Sequence, residues 1–175
     1  MLSRTKLTLF LLLLFILEGS VVQVFVPSAW GMSYETIPRF ALVGTILISL
    51  FIGRREGLLY GLVFGLLQDV VFGHIIGVYT LSMMVAGYFA GLVLMLFHRS
   101  FAVVFTTLLL VLFGHEWLTY TLFRLFMTNP VDVRWTLTNE IFPTVLLNML
   151  FAAFVYLPMK KLCLQVKENK ERSHE

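Results

Sequence analysis

Four ionisable side chains lie inside long hydrophobic stretches of the sequence, where they could hold a proton or bind a polar group. They are Glu18, Asp69, Glu116 and Arg124, and His115 is next to Glu116. An acid or an arginine at mid-bilayer costs about 2.5–3.5 kcal/mol on insertion scales, so such residues usually face the bundle interior and have a partner. Glu116 and Arg124 are eight residues apart. That spacing is about 12 Å along a helix, so we do not expect them to pair directly. Arg124 can instead extend towards the membrane surface.

These residues do not match a known catalytic pattern. An intramembrane aspartyl protease needs two facing aspartates, and Asp69 is the only aspartate within a hydrophobic stretch. The sequence has no Gly-x-Ser-Gly turn, no His-Glu-x-x-His zinc motif and no phosphate-binding loop. Its single cysteine, Cys163, excludes an internal disulfide and a cysteine-rich metal site. We therefore expect no enzymatic activity, no metal and no cofactor.

The role of Asp69 has two interpretations. Its carboxylate could be a functional anchor, proton site or binding site, or it could fix the turn at the end of a helix. Gln68 and His74 are close enough in sequence to donate hydrogen bonds to it. Glu18 and Asn148 are expected to hydrogen-bond between helices of the bundle, as polar side chains in membrane helices do.

The composition is that of a membrane protein. Hydrophobic residues make up 59% of the 175 residues and charged residues 13%, whereas a soluble domain has about 25% charged residues. The mean hydropathy is +0.89, and the apolar residues form long blocks, as a bilayer requires. The net charge is +3. Because the basic residues lie at the ends of the blocks, they indicate membrane topology and not nucleic-acid binding.

Six hydrophobic blocks predict an all-α, polytopic membrane helix bundle of about six transmembrane helices in a single integral membrane domain. The predicted spans are 7–26, 38–52, 57–72, 78–97, 101–126 and 139–157. Pro158 is expected to end the last helix and leave a short charged cytoplasmic tail over 160–175. The first block is expected to stay as a helix, because no small-x-small cleavage site follows its first dozen residues.

The basic residues predict that both termini lie in the cytoplasm. With the N-terminus inside, the cytoplasmic side receives Arg4, Lys6, Arg54, Arg55, Arg99, Lys160, Lys161, Lys167, Lys170 and Arg172. The outer side receives only Arg39 and Arg134, an asymmetry that fixes the orientation. Trp30 and Trp135 then fall near the outer interface, and Trp117 lies deeper as a packing residue.

Glycines recur every four residues along the third block and lead to the aspartate. The series is Gly57, Gly61, Gly65, Asp69, Gly73 and Gly77. On a helix the first four positions occupy one strip about 120° wide. Small residues on this strip let another helix approach closely, either in this chain or in another protein. Gly87 and Gly91 repeat the spacing on the fourth block and offer a facing surface. Gly73 and Gly77 predict the helix end and a tight outer turn.

The stretch from Gly57 to Gly77, followed by Gly87-Tyr-Phe-Ala-Gly91, resembles the rod shape-determining protein MreD family. That family has a glycine-stepped helix ending in leucine-leucine-x-aspartate, then a glycine, then another glycine before the next helix. The matching positions here are Gly61, Gly65, Leu66, Asp69, Gly73 and Gly77. The motif covers about the central fifth of the chain, and the flanking helices match in hydropathy alone.

The resemblance implies a non-enzymatic subunit of the bacterial elongation complex, located in the cell membrane and required for rod shape and lateral peptidoglycan synthesis. The implied partners are MreC and, through it, MreB filaments, the glycosyltransferase RodA and a class B penicillin-binding protein. The resemblance implies no cofactor. Asp69 and the glycines would form a packing or interaction element.

A different class of membrane protein is also compatible with the sequence. The substrate-capturing subunits of vitamin transporters are compact six-helix proteins of similar length. Such a protein would have a ligand pocket near the outer surface, using Trp30, His74 and Trp135. It would also need a cytoplasmic motif for docking an ATPase-driven partner, and none is recognisable. Retention of a small ligand through purification would favour this alternative.

Overall fold

The computed structural model describes residues 2–25, 34–98, 100–126 and 132–172. Their helices are α1 (Leu2–Phe25), α2 (Phe40–Phe51), α3 (Arg54–Phe72), α4 (Val78–Leu96), α5 (Phe101–Phe126), α6 (Val133–Thr136) and α7 (Phe142–Arg172). A π-helical turn, Leu137–Ile141, joins α6 to α7 without a break. The described ranges contain no strand. The prediction of an all-α membrane helix bundle is confirmed.

α2 is the central helix of the bundle. All of its 12 residues are buried, and it contacts α1, α3, α4, α5 and α7. A helix that is apolar on every side is suited to this position, since it has no exposed face. The other long helices surround it in the order α3, α4, α5, α7, α1. An ion pair between Arg4 and Glu56 at 3.1 Å, and a hydrogen bond between Thr8 and Tyr60 at 2.9 Å, close this ring between α1 and α3.

The outer surface of the ring is apolar. Large hydrophobic side chains are exposed on α1, α3, α5 and α7, among them Leu9, Ile16, Val63, Leu110 and Phe154. A water-soluble monomer rarely exposes apolar patches beyond a few hundred Å², so this surface is suited to lipid. α5 and the helix Val133–Asn169 are long and apolar enough to cross a membrane, while Phe40–Phe51 and Val78–Val93 are shorter apolar helices.

The last helix is longer than the sequence predicts. It begins at Val133 and passes through Pro158, which lies inside α7 and does not end it. A proline inside a helix costs about 3 kcal/mol. Met159 and Val166 are buried beyond it, and each such side chain contributes about 1.5–3 kcal/mol, which offsets that cost. The predicted charged tail is therefore helical as far as Arg172.

The tryptophans are not core residues where the structure describes them. Trp117 is 41% exposed on α5, and its ring packs against Tyr120 of the same helix, with centroids 5.9 Å apart. Trp135 on α6 is exposed. Trp30 lies outside the described residues. Trp117 therefore packs on its own helix and faces the lipid side of the ring.

Candidate functional site

The glycine strip of α3 is covered by α4 of the same chain. A Cβ added to Gly61 would lie 2.5 Å from the carbonyl oxygen of Met83, and one added to Gly57 would lie 2.7 Å from the carbonyl oxygen of Gly87. Real Cβ atoms essentially never come within 3.0 Å of such a neighbour. Only glycine therefore allows the two backbones to pack at this distance.

The same close approach continues at both ends of the strip. A Cβ on Gly65 would lie 2.6 Å from Cα of Thr80, and one on Gly91 would lie 2.5 Å from Cα of Arg54. The structure thus brings the glycines of α3 and α4 together in one antiparallel helix pair. Because α4 occupies the strip, no second protein can use it without separating the two helices.

Asp69 caps the next helix. Its carboxylate accepts hydrogen bonds from the backbone N–H groups of Gly77 at 2.9 Å, Tyr79 at 2.9 Å and Thr80 at 3.0 Å. It also accepts one from the hydroxyl of Thr80. The first N–H groups of a helix have no partner within the helix, and a carboxylate at that end is further favoured by the helix dipole. Asp69 therefore ties the end of α3 to the start of α4.

The turn between these helices uses its two glycines differently. Gly77 has φ +107°, a left-handed conformation that glycine adopts without a Cβ clash. Gly73 follows the last turn of α3, where a Cβ would lie 2.5 Å from the carbonyl oxygen of Asp69. The predicted donors to Asp69 differ from those observed. Gln68 points to another acid instead, and His74 is exposed.

Side chains from two outer helices cap the central helix. Glu18 of α1 accepts the backbone N–H of Ala41 at 3.0 Å and the side-chain amide of Gln68 at 2.7 Å. Asn148 of α7 accepts the backbone N–H of Arg39 at 2.7 Å and donates to the carbonyl of Ile37 at 3.0 Å. α2 has no cap from its own side chain. The helices around α2 therefore supply the hydrogen bonds that its buried N-terminus needs.

A buried ion pair lies beside this N-terminus. Nε of Arg39 donates to Oε1 of Glu116 at 3.0 Å, and both residues are 5% exposed. The guanidinium of Arg39 also lies 4.9 Å from the ring centroid of Tyr79. The neighbouring His115 is buried on α5. The structure thus uses Glu116 as the counter-ion of Arg39, whereas the sequence placed Arg39 at the outer surface.

A cavity of about 250 Å³ lies above the N-terminus of α2, and we call it the Arg39 cavity. Its ionisable or hydroxyl side chains include Arg39, His74, Glu116, Arg124, Thr136 and Glu140. The π-helical turn forms one wall, and such turns often occur at functional sites. The helix below the cavity is short, since the 12 residues of α2 rise only about 18 Å, whereas a bilayer has a hydrocarbon thickness of about 30 Å.

Comparison with known proteins decides the family. The family model for the rod shape-determining protein MreD matches residues 3–166. The chain belongs to this family. A curated relative, the rod shape-determining protein MreD of Bacillus subtilis (strain 168), is 25% identical over 132 residues, which cover 75% of this chain and 77% of the relative. No solved structure matches the chain.

Membership in the MreD family makes this a rod shape-determining membrane protein. The vitamin-transporter alternative is not favoured by the match. His74 does line the Arg39 cavity, but Trp135 does not, and Trp30 lies outside the described residues. In the parts of the chain that the structure describes, no group of three or more histidines, cysteines or acids is placed to hold a metal ion.

Proposed function

We propose that this MreD-family chain is a non-enzymatic subunit of the bacterial elongation complex, needed for rod shape and lateral peptidoglycan synthesis. It acts by binding an MreC-like protein. Through that protein it connects to MreB filaments, RodA and a class B penicillin-binding protein. The observation that carries this proposal is the match of the MreD family model over residues 3–166.

The contacts of the intramembrane acids support a structural role over catalysis. Asp69 caps α4, Glu18 caps α2, and Glu116 is paired with Arg39. General acid–base catalysis needs groups positioned to exchange protons with a substrate. Each of these three carboxylates is instead engaged in a contact that holds helices together. We infer that the chain serves as a rigid membrane scaffold.

We also propose that the chain is a multi-pass protein of the bacterial cytoplasmic membrane with both termini inside. Exposed basic side chains cluster at one end of the bundle, at Arg4, Lys6, Arg55, Lys160 and Lys161. At the opposite end, Arg39 is buried in an ion pair. This leaves fewer free positive charges on the outer side than the sequence alone suggests and supports the orientation.

The packing of α3 against α4 narrows where a partner can bind. The glycine strip is filled by α4, so an MreC-like protein must contact other surfaces of the bundle. Its binding is expected to depend on the glycines only through the integrity of the α3–α4 pair. Loss of binding in a glycine variant must therefore be compared with the stability of the purified variant.

Complementation tests the proposed function in cells. The chain would replace the MreD-family protein of a rod-shaped bacterium, and cell width and length would be measured by microscopy. Restoration of rod shape supports the proposal. Cells that become round although the chain is inserted in the membrane at normal amounts would contradict it. A strain that retains its own MreD-family protein serves as the reference.

A further inference from the structure

The Arg39 cavity has the size of a headgroup and not of a large ligand. Pockets for drug-sized molecules measure roughly 300–1,000 Å³, whereas this one measures about 250 Å³. Phe72 lines the cavity and is 39% exposed, and its neighbours Val70 and Val71 at the end of α3 are 74% and 56% exposed. One wall of the cavity therefore adjoins the apolar surface that faces lipid.

Only some of the charged side chains that line the cavity form an ion pair. Two arginines and two glutamates line it, and Arg39 is paired with Glu116 at 3.0 Å. Arg124 and Glu140 form no ion pair with any side chain in the described parts of the chain. One positive and one negative group thus remain open to a ligand. A ligand with one charge of each sign matches them.

A buried hydroxyl also lacks a partner at this site. Thr136 lines the cavity and is 2% exposed, and its Oγ1 has no hydrogen-bond partner among the described residues. Leaving such a group unsatisfied costs about 1–3 kcal/mol. Thr136 and Glu140 both line the cavity, Thr136 just before the π-helical turn and Glu140 within it. Together they present an acceptor and a carboxylate to a group with N–H donors.

We propose that the Arg39 cavity binds a phosphate–ammonium zwitterion, the chemistry of an ethanolamine phospholipid headgroup. Arg124 binds the phosphate, since a guanidinium pairs with phosphate through two parallel hydrogen bonds. Glu140 and the hydroxyl of Thr136 bind the ammonium group. Phe72 continues the wall towards the lipid, where the acyl chains would lie. This inference does not depend on the proposed role in the elongation complex.

Native mass spectrometry of the purified chain in detergent tests the inference. The probes are phosphatidylethanolamine, phosphatidylglycerol and water-soluble glycerophosphoethanolamine. We expect phosphatidylethanolamine to be retained about tenfold more than phosphatidylglycerol. Only phosphatidylethanolamine has an ammonium group to bind Glu140, and one charge-assisted hydrogen bond provides about that difference in affinity. Displacement of the lipid by glycerophosphoethanolamine identifies the headgroup alone as sufficient. Binding of the lipid without displacement identifies the acyl chains as part of the ligand.

Variants assign the binding to the cavity. Glu140→Gln and Arg124→Gln should each reduce retention of phosphatidylethanolamine by about tenfold. Arg134→Gln is the matched control, because Arg134 is exposed on α6 and does not line the cavity. Thr136→Val removes the hydroxyl at nearly constant volume and should reduce retention of phosphatidylethanolamine severalfold. Because this variant changes no charge, it tests the cavity even if Glu140→Gln or Arg124→Gln folds poorly. Equal retention of the two lipids, or equal effects of Arg124→Gln and Arg134→Gln, would overturn the inference.

Discussion

Arg39, at the N-terminus of the central helix, donates a hydrogen bond to Glu116 on α5 at a distance of 3.0 Å, with both side chains shielded from solvent. The pair joins α2 to α5, and its two residues are 77 positions apart in sequence. A buried pair of charges contributes little net stability compared with apolar residues, but losing one partner leaves the other buried and uncompensated. The pair therefore constrains how α2 and α5 can sit together.

Removing one member of this pair should destabilise the protein strongly. Glu116→Gln leaves the Arg39 charge without its counter-ion, and we expect a loss of about 3–5 kcal/mol in the free energy of unfolding. Denaturant unfolding in mixed micelles measures this loss. Glu168→Gln, at an exposed position on α7, is the control and should change stability little.

A double variant tests whether Arg39 and Glu116 stabilise the protein through their contact with each other. Arg39→Met combined with Glu116→Gln removes both charges, and it should be more stable than Glu116→Gln alone because no uncompensated charge remains. Additive losses in the double variant would show that the two side chains act independently.

Two glycine positions give opposite expectations for the same substitution. Gly61→Ala places a Cβ 2.5 Å from the carbonyl oxygen of Met83, and the overpacking should cost about 1–3 kcal/mol. Gly114→Ala places its Cβ in open space on α5. There the higher helix propensity of alanine should leave stability unchanged or raise it by up to about 1 kcal/mol. Thermal unfolding of the two purified variants makes the comparison. Equal melting temperatures would contradict the tight α3–α4 pairing.

The capping role of Asp69 predicts the effect of a near-isosteric change. Asp69→Asn replaces one acceptor oxygen with an NH₂ group that faces backbone N–H donors. We expect a loss of about 1–3 kcal/mol in the free energy of unfolding. Thr80→Val, which removes only the hydroxyl donor to Asp69, should have a smaller effect. Wild-type stability together with full rod-shape complementation by Asp69→Asn would rule out the need for a carboxylate here.

Asn148 supplies a prediction for the other buried cap. Asn148→Leu removes the acceptor for the Arg39 backbone N–H, and it leaves the carbonyl of Ile37 without its donor. We expect a loss of about 1–3 kcal/mol. Asn169→Leu is the control, since the hydrogen bond that Asn169 donates to Ser3 at 3.0 Å is exposed to solvent, and its loss should change stability little. If both leucine variants unfold at the same denaturant concentration, Asn148 does not cap α2.

Hydropathy predicts the helices well because lipid requires continuous apolar stretches. The predicted span 101–126 coincides with α5, and 78–97 differs from α4 by one residue. The prediction that Pro158 ends the last helix is wrong, since the packing of α7 beyond Pro158 offsets the lost hydrogen bond. The rule for prolines is local, whereas the burial of Met159 and Val166 depends on tertiary contacts.

The polar contacts could be predicted only in part. The glycine spacing and Asp69 mark the α3–α4 turn because both act over a short stretch of sequence. The Arg39–Glu116 pair joins residues that are distant in sequence, and only one feature of the sequence indicates that Glu116 has a partner. Glu116 lies in an apolar helix with no cation one turn away, so its partner had to come from another helix. The identity of that partner depends on how the helices pack.

The measurement that tests the proposed function most directly is affinity purification of the tagged chain in mild detergent from cells in which it restores rod shape. Mass spectrometry then identifies the proteins that accompany it. We expect an MreC-like protein as the main partner, with MreB, RodA and a class B penicillin-binding protein in smaller amounts. Purification with an ABC-type ATPase and without an MreC-like protein would contradict it.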